Sequence, residues 1–218
     1  MLLGFALANL ALIIAAWGIV SNRPAPPPQI QGVLLAEGRK LEPFSVLDHH
    51  NQVFSNEDLL GRWHLVSYGF TTCPDVCPTT LVQVDKVMEQ LSEAGNNDLR
   101  VLFYSIDHRR DTVSQMAGYV PYFNPAFIGL THEDNPDNPH LPFEQSLGMM
   151  SQLSPIFDDN GIPDPVNYTV SHGVTLFLIN PNGELQAIFK PDEPAPGVHH
   201  FDPDKLFVDY VAVRDYLG

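Results

Sequence analysis

Cys73 and Cys77 are the only two cysteines of the 218-residue chain, and they stand in the stretch Tyr68-Gly-Phe-Thr-Thr-Cys73-Pro-Asp-Val-Cys77-Pro-Thr-Thr80. Leu65, Val66, Tyr68 and Phe70 ahead of them read as a short buried strand. Leu81, Val84, Val87, Met88 and Leu91 behind them recur at three- and four-residue intervals, like one apolar helix face. The pair is therefore predicted at a strand-to-helix turn. There the free N–H groups and the positive end of the helix dipole favour thiolate over thiol. Thiolate is the form that attacks disulfides and binds metals. A structural disulfide is the competing reading, but it would enclose only three residues, and the stabilisation from such a bridge grows with loop length. Three intervening residues also differ from the two of common redox dithiols. The wider spacing lets both sulfurs point at one shared atom.

The elements that must position this pair can be read from pattern. Residues 44–48 and 52–55 form a predicted strand pair around His49-His50-Asn51, and residues 56–61 a helical turn ended by glycine. Residues 100–107 are an apolar run bounded by polar residues, which suits a strand in a sheet covered on both faces. A helix is predicted from Asp111-Thr112 toward Tyr119, a third strand at 127–130, an amphipathic helix at 143–150 and a turn-rich insertion at 158–165. Residues 174–179 and 185–189 read as a hairpin across Asn180-Pro-Asn-Gly183. Asp202 opens a last helix with Leu206, Tyr210, Val213 and Tyr216 or Leu217 on its apolar side. Strand, helix, strand, helix implies parallel pairing with right-handed crossovers. The order of elements is that of a thioredoxin-like α/β fold, a central mixed sheet flanked by helices.

The stretch Gly69-Phe-Thr-Thr-Cys-Pro-Asp-Val-Cys-Pro-Thr-Thr-Leu81 resembles the signature of the SCO/SenC family. These are membrane-tethered thioredoxin-fold proteins that handle copper for cytochrome c oxidase assembly. The resemblance extends over roughly residues 38–218, an ordinary domain length. It implies that Cys73, Cys77 and a distant histidine, here His172 in Tyr168-Thr-Val-Ser-His-Gly-Val-Thr, bind one copper ion. Ser105-Ile-Asp-His-Arg-Arg-Asp-Thr112 resembles a middle motif of the family. Two departures stand out: Ser171 where the family usually has Asp, and His108 where it usually has Pro. The first bears on how the His172 imidazole is oriented, because neighbouring hydrogen-bond partners set ligand orientation and basicity. Two soft thiolates and an imidazole suit Cu(I) and also hold Cu(II). A structural zinc site would supply four protein ligands, one more than is identified.

The implied function is that of a copper chaperone for the dinuclear copper centre of cytochrome c oxidase. Its partners would be the copper-bearing oxidase subunit and another periplasmic copper carrier. The enzyme-class alternative is a thiol-disulfide reductase that keeps the acceptor's cysteines reduced, using Cys73 and Cys77 without His172. Val174 stands where thioredoxin-fold redox proteins carry a proline, which favours a metal site over a general disulfide-exchange groove. Asp75 complements the helix dipole or tunes the thiolates, Asp107, Arg110 and Asp111 suggest an ion-pair network, and His199-His200 reads as a solvated loop.

Residues 1–20 are almost wholly apolar, long enough at helical rise to cross the hydrocarbon of a bilayer. No Lys or Arg precedes Arg23, which disfavours a cleaved signal peptide. Residues 1–21 are thus expected to be a single-pass anchor, 22–37 a Pro-rich spacer and 38–218 the copper-binding domain, held at the periplasmic face of a bacterial inner membrane. A hydrophobic content of 44% supports a sizeable core. With 26 acidic against 11 basic residues and a formal charge of −15, nucleic acid is excluded as a partner, since phosphates demand a basic face.

Overall fold

The computed structural model describes Trp17 and residues 25–133, 140–157 and 161–218. The predicted anchor lies outside the described residues apart from Trp17. Residues 134–139 and part of the predicted 158–165 insertion lie outside them too. Among the described residues no helix is long and apolar enough to cross a membrane.

In chain order the elements are β1 (Gly32–Lys40), β2 (Ser45–Asp48), β3 (Val53–Ser55), a 3-10 turn (Asn56–Leu59), β4 (Trp63–Gly69), α1 (Val76–Glu93), β5 (Leu99–Ser105), α2 (Val113–Phe123), β6 (Ile128–Thr131) and α3 (Leu141–Leu147). There follow β7 (Ser151–Phe157), β8 (Pro163–His172), β9 (Leu176–Ile179), β10 (Glu184–Phe189), β11 (Asp192–Ala195), β12 (Val198–His200) and α4 (Pro203–Leu217). One eight-stranded sheet runs β1-β10-β9-β4-β5-β6-β2-β3. Its centre, β4-β5-β6, is parallel, and the flanking pairs are antiparallel.

Alternation along β4 and β5 divides the interior in two. Leu65, Val101 and Phe103 enter a core built with Leu81, Val84, Val87, Met116, Val120, Leu206 and Tyr210 from α1, α2 and α4. Val66, Tyr68, Leu102 and Tyr104 enter the other, with Phe44, Leu59, Phe143 and Leu147. Successive strand side chains point to opposite faces, so a continuous apolar run is what two covered faces require. Ser105 to Asp111 and the Cys73 turn leave the sheet at the carboxyl ends of these parallel strands, where α/β sheets hold their ligands.

Several boundaries differ from the pattern reading. The spacer ends sooner, because Gly32–Lys40 pairs with β10 and forms a sheet edge. Tyr216 and Leu217 are exposed, while Asp209 on α4 is buried and accepts the Gln31 N–H at 2.8 Å. The predicted helix to Met150 stops at Leu147, where Gly148 takes the left-handed conformation that ends helices. β7 and β8, where the pattern reading gave only a turn-rich insertion at 158–165, form a long antiparallel hairpin. Pro155 and Pro163 obscured it. A two-stranded ribbon has open edges and tolerates residues that cannot donate to a ladder.

Candidate metal centre

β4 ends at Gly69, and the residue type there is dictated by what lies against it. A Cβ on Gly69 would stand 2.5 Å from the Cys77 sulfur. Cys73 follows in the turn, its N–H donating to the Phe70 carbonyl at 3.2 Å, and Cys77 is the second residue of α1. His172 ends β8 and arrives beside them from 95 residues away in sequence. The two sulfurs and an imidazole nitrogen all lie within 4.8 Å of one another, with Cys77 Sγ 3.5 Å from His172 Nε2. Both cysteines are free thiols. The three residues singled out from sequence thus form one cluster.

His172 is held from several sides. Nδ1 lies 2.8 Å from the Gly173 carbonyl. A carbonyl can only accept, so Nδ1 carries a proton and Nε2 is the nitrogen turned to the sulfurs. Tyr68 and Phe70 meet the ring edge-on, with centroids 5.5 and 5.8 Å away. Ser171 is exposed, and the orienting partner is the Gly173 backbone instead. The missing acidic neighbour therefore does not leave the imidazole without a fixed orientation.

The cysteines are electrostatically unlike. Cys73 lines a cleft of about 530 Å³ with Phe70, Val76, Val170 and His172, whereas Cys77 lies beneath it beside Tyr68, Val174 and Thr175. A hydrogen bond from the Cys77 thiol, which outweighs burial, brings the Cys73 pKa down to about 4, helped by His172 and the N–H groups of Asp75 and Cys77. The same hydrogen bond, with burial, pushes Cys77 far up, so the pair holds one proton. Iodoacetamide is accordingly expected to label Cys73 first, at a rate that stays flat from neutral pH down to about pH 5 and falls below it with a midpoint near 4. Peptide mapping of the labelled protein across pH reads this. A rate climbing through the ordinary thiol range, around 8.5, would refute it.

The middle motif braces both halves of the cluster. Buried Asp111 accepts the Thr71 N–H at 2.8 Å, the Thr71 hydroxyl at 2.6 Å and the Ser105 hydroxyl at 2.7 Å, tying the cysteine turn to the end of β5. Asp107, also buried, pairs with Arg110 Nε at 2.5 Å and accepts the Tyr168 hydroxyl from the strand that carries His172. Arg110 stacks 4.2 Å over the Tyr168 ring. The predicted ion pair exists between Asp107 and Arg110, while Asp111 serves a hydrogen-bond network. Sequence reading missed Thr71, Tyr168 and Gly173. Gly69 carried one usable signal, since a glycine within a strand pattern marks a close approach. Asp75 is the residue before α1 but its side chain makes no capping hydrogen bond, which leaves its charge near the helix N-terminus. His199 and His200 are exposed on the β11–β12 hairpin and line the Cys73 cleft.

Comparison with known proteins agrees with this geometry. The SCO1/SenC family model matches residues 35–200. A Stutzerimonas stutzeri protein named for copper binding is 31% identical over 203 residues, covering 90% of this chain and 92% of its own. The human mitochondrial SCO1 homolog is 33% identical over 149 residues, 67% of this chain, which spans about half of that longer protein (46%). The structure of Arabidopsis thaliana ScoI with copper bound superposes with a TM-score of 0.65 at 26% identity, covering 81% of this chain and 99% of the other. The fold is the thioredoxin-like α/β arrangement, and the chain belongs to the SCO1/SenC family.

Proposed function

We propose that this chain is a copper chaperone in which Cys73, Cys77 and His172 hold one copper ion for delivery to the dinuclear copper centre of cytochrome c oxidase. The observation that carries the reading is the convergence of two thiol sulfurs and one imidazole nitrogen within 4.8 Å at the mouth of a cleft. Soft sulfur donors with an imidazole select copper over hard cations, and Cu(I) accepts three ligands. The copper found in a relative of the same fold supports the assignment. Delivery then proceeds by ligand exchange. Cys73 faces the cleft, so a cysteine of the copper-bearing oxidase subunit enters there and takes up the ion as Cys73 lets go, while Cys77 and His172 hold it from below. A second periplasmic copper carrier loads the site by the reverse exchange. Residues 1–21 anchor the chain as a single pass in a bacterial inner membrane, the Pro-rich stretch between them and β1 acts as a spacer, and the domain from β1 onward presents the site to the periplasm.

The test is an anaerobic Cu(I) titration of the reduced full chain against a competing chelator, with His172→Ala and Cys77→Ser alongside. One equivalent should bind tightly to the wild type, and each variant should lose well over the 10–100-fold (about 1.4–3 kcal/mol) typical of removing an outer partner. Equal binding by all three proteins would end the copper reading. A reductase role has its own support in the Cys73 thiolate beside the protonated Cys77 thiol. Cys73 would attack an acceptor disulfide to form a mixed disulfide. Cys77, losing its proton, would then displace the acceptor thiol and leave Cys73 and Cys77 oxidised. His172→Ala separates the two roles, since it removes a copper ligand but neither sulfur.

A further inference from the structure

Three histidines that the copper cluster does not use meet at the same edge of the sheet. His132 follows β6 and is buried, His140 stands immediately before α3, and His108 lies in the turn after β5. The His132 and His140 rings stack with centroids 3.4 Å apart at 8°, and the His108 ring lies 4.0 Å from that of His132. Glu144 sits one helical turn beyond His140, on the same face of α3. One donor atom from each of His132, His140 and Glu144 lies within 4.8 Å of the others. The Tyr104 hydroxyl donates to Glu144 Oε1 at 2.6 Å. A carboxylate oriented by an outer hydrogen bond beside two imidazoles has the organisation of a ligand set.

We propose that His132, His140 and Glu144 form a second metal site, which takes a divalent borderline cation, Zn2+ or Cu2+, independently of the cysteines. Imidazole and carboxylate donors suit these ions, whereas Cu(I) goes to the sulfur cluster and Ca2+ or Mg2+ would want oxygen throughout. Three protein donors leave a fourth position for water or for the His108 ring. Binding requires the His132 and His140 rings to splay slightly from their parallel stack, so that their nitrogens converge on one point. The formal charge of −15 favours accumulation of cations at the surface. His108, which departs from the family pattern, lies against this cluster, so the departure coincides with the second site rather than the first.

The full chain carrying Cys73→Ser and Cys77→Ser lacks the sulfur donors and isolates the site. Titrated with Zn2+ against a competing indicator it should bind one equivalent, and Co2+ should give visible d–d bands without thiolate charge transfer. Adding His140→Asn or Glu144→Gln should weaken binding by at least about 100-fold, beyond the 10–100-fold of an outer partner, and Tyr104→Phe by about 10-fold. Zn2+ should also raise the Tm of the double-cysteine variant and not of these additions. Both added changes fall on half-buried side chains, and an unchanged metal-free Tm shows that the variants are folded. No stoichiometric binding by the double-cysteine variant overturns the proposal. Binding that survives His140→Asn and Glu144→Gln overturns it equally, by showing adventitious uptake elsewhere. Neither result touches the copper reading, which rests on Cys73, Cys77 and His172.

Discussion

Asp111→Ala is expected to lower the Tm by roughly 6–12 °C, the shift produced by about 3 kcal/mol in a domain of this size. The carboxylate accepts three hydrogen bonds and is wholly buried. Its removal leaves the Thr71 N–H, the Thr71 hydroxyl and the Ser105 hydroxyl without their acceptor. Each such orphan costs about 1–3 kcal/mol. The total falls short of the sum because burial already opposes the charge, as the raised pKa of Asp111 shows. Thr71 is two residues before Cys73, so the loss should also loosen the cysteine turn and weaken Cu(I) binding by about 10–100-fold, as loss of an outer partner does. Calorimetry and chelator competition on the full chain measure both effects. Asp111→Asn, which keeps the shape and part of the accepting capacity, should fall between. If Asp111→Ala melted with the wild type and bound Cu(I) equally well, the brace would have no role.

The second large effect is acid destabilisation through His64. This side chain on β4 is fully buried, and burial, followed by the nearby Arg100 charge, lowers its pKa from 6.5 to about 4. The unfolded chain therefore binds the proton more readily than the folded one. The stabilising difference is complete above pH 6.5, is lost as pH falls from 6.5 toward 4, and levels off below that. A shift of this size is worth about 3 kcal/mol, at 1.36 kcal/mol for each unit. Denaturant unfolding at intervals between pH 7 and pH 4 should show that decline in the wild type. His64→Leu, which cannot be protonated, should remove most of it. Parallel pH profiles for the two proteins would rule out His64 as the source.

The cysteine turn, the order of strands and helices and the doubly covered sheet were legible from sequence because they rest on local periodicity. Leu81, Val84, Val87 and Leu91 fall on one helix face wherever that helix lies. The alternating strand residues 101–104 serve two cores in any sheet covered on both sides. Cys73 and Cys77 announced their own chemistry, because four residues of separation on a strand-to-helix turn already bring the sulfurs together. The β7–β8 hairpin was hidden because its prolines read locally as loop, and ribbon pairing across an open edge overrode them.

Tertiary structure decided the rest. The family resemblance pointed to His172, yet only the register of β8 against β7 carries it across 95 residues to within 3.5 Å of Cys77. The link from Asp111 to Thr71 spans 40 residues, and the one from Asp107 to Tyr168 spans 61. His132, His140 and Glu144 meet because β6 ends and α3 begins at one edge of the sheet. Propensity and spacing act over a few residues along the chain. Which side chains converge at the ends of the parallel strands depends on packing of the whole sheet, and no local pattern records it.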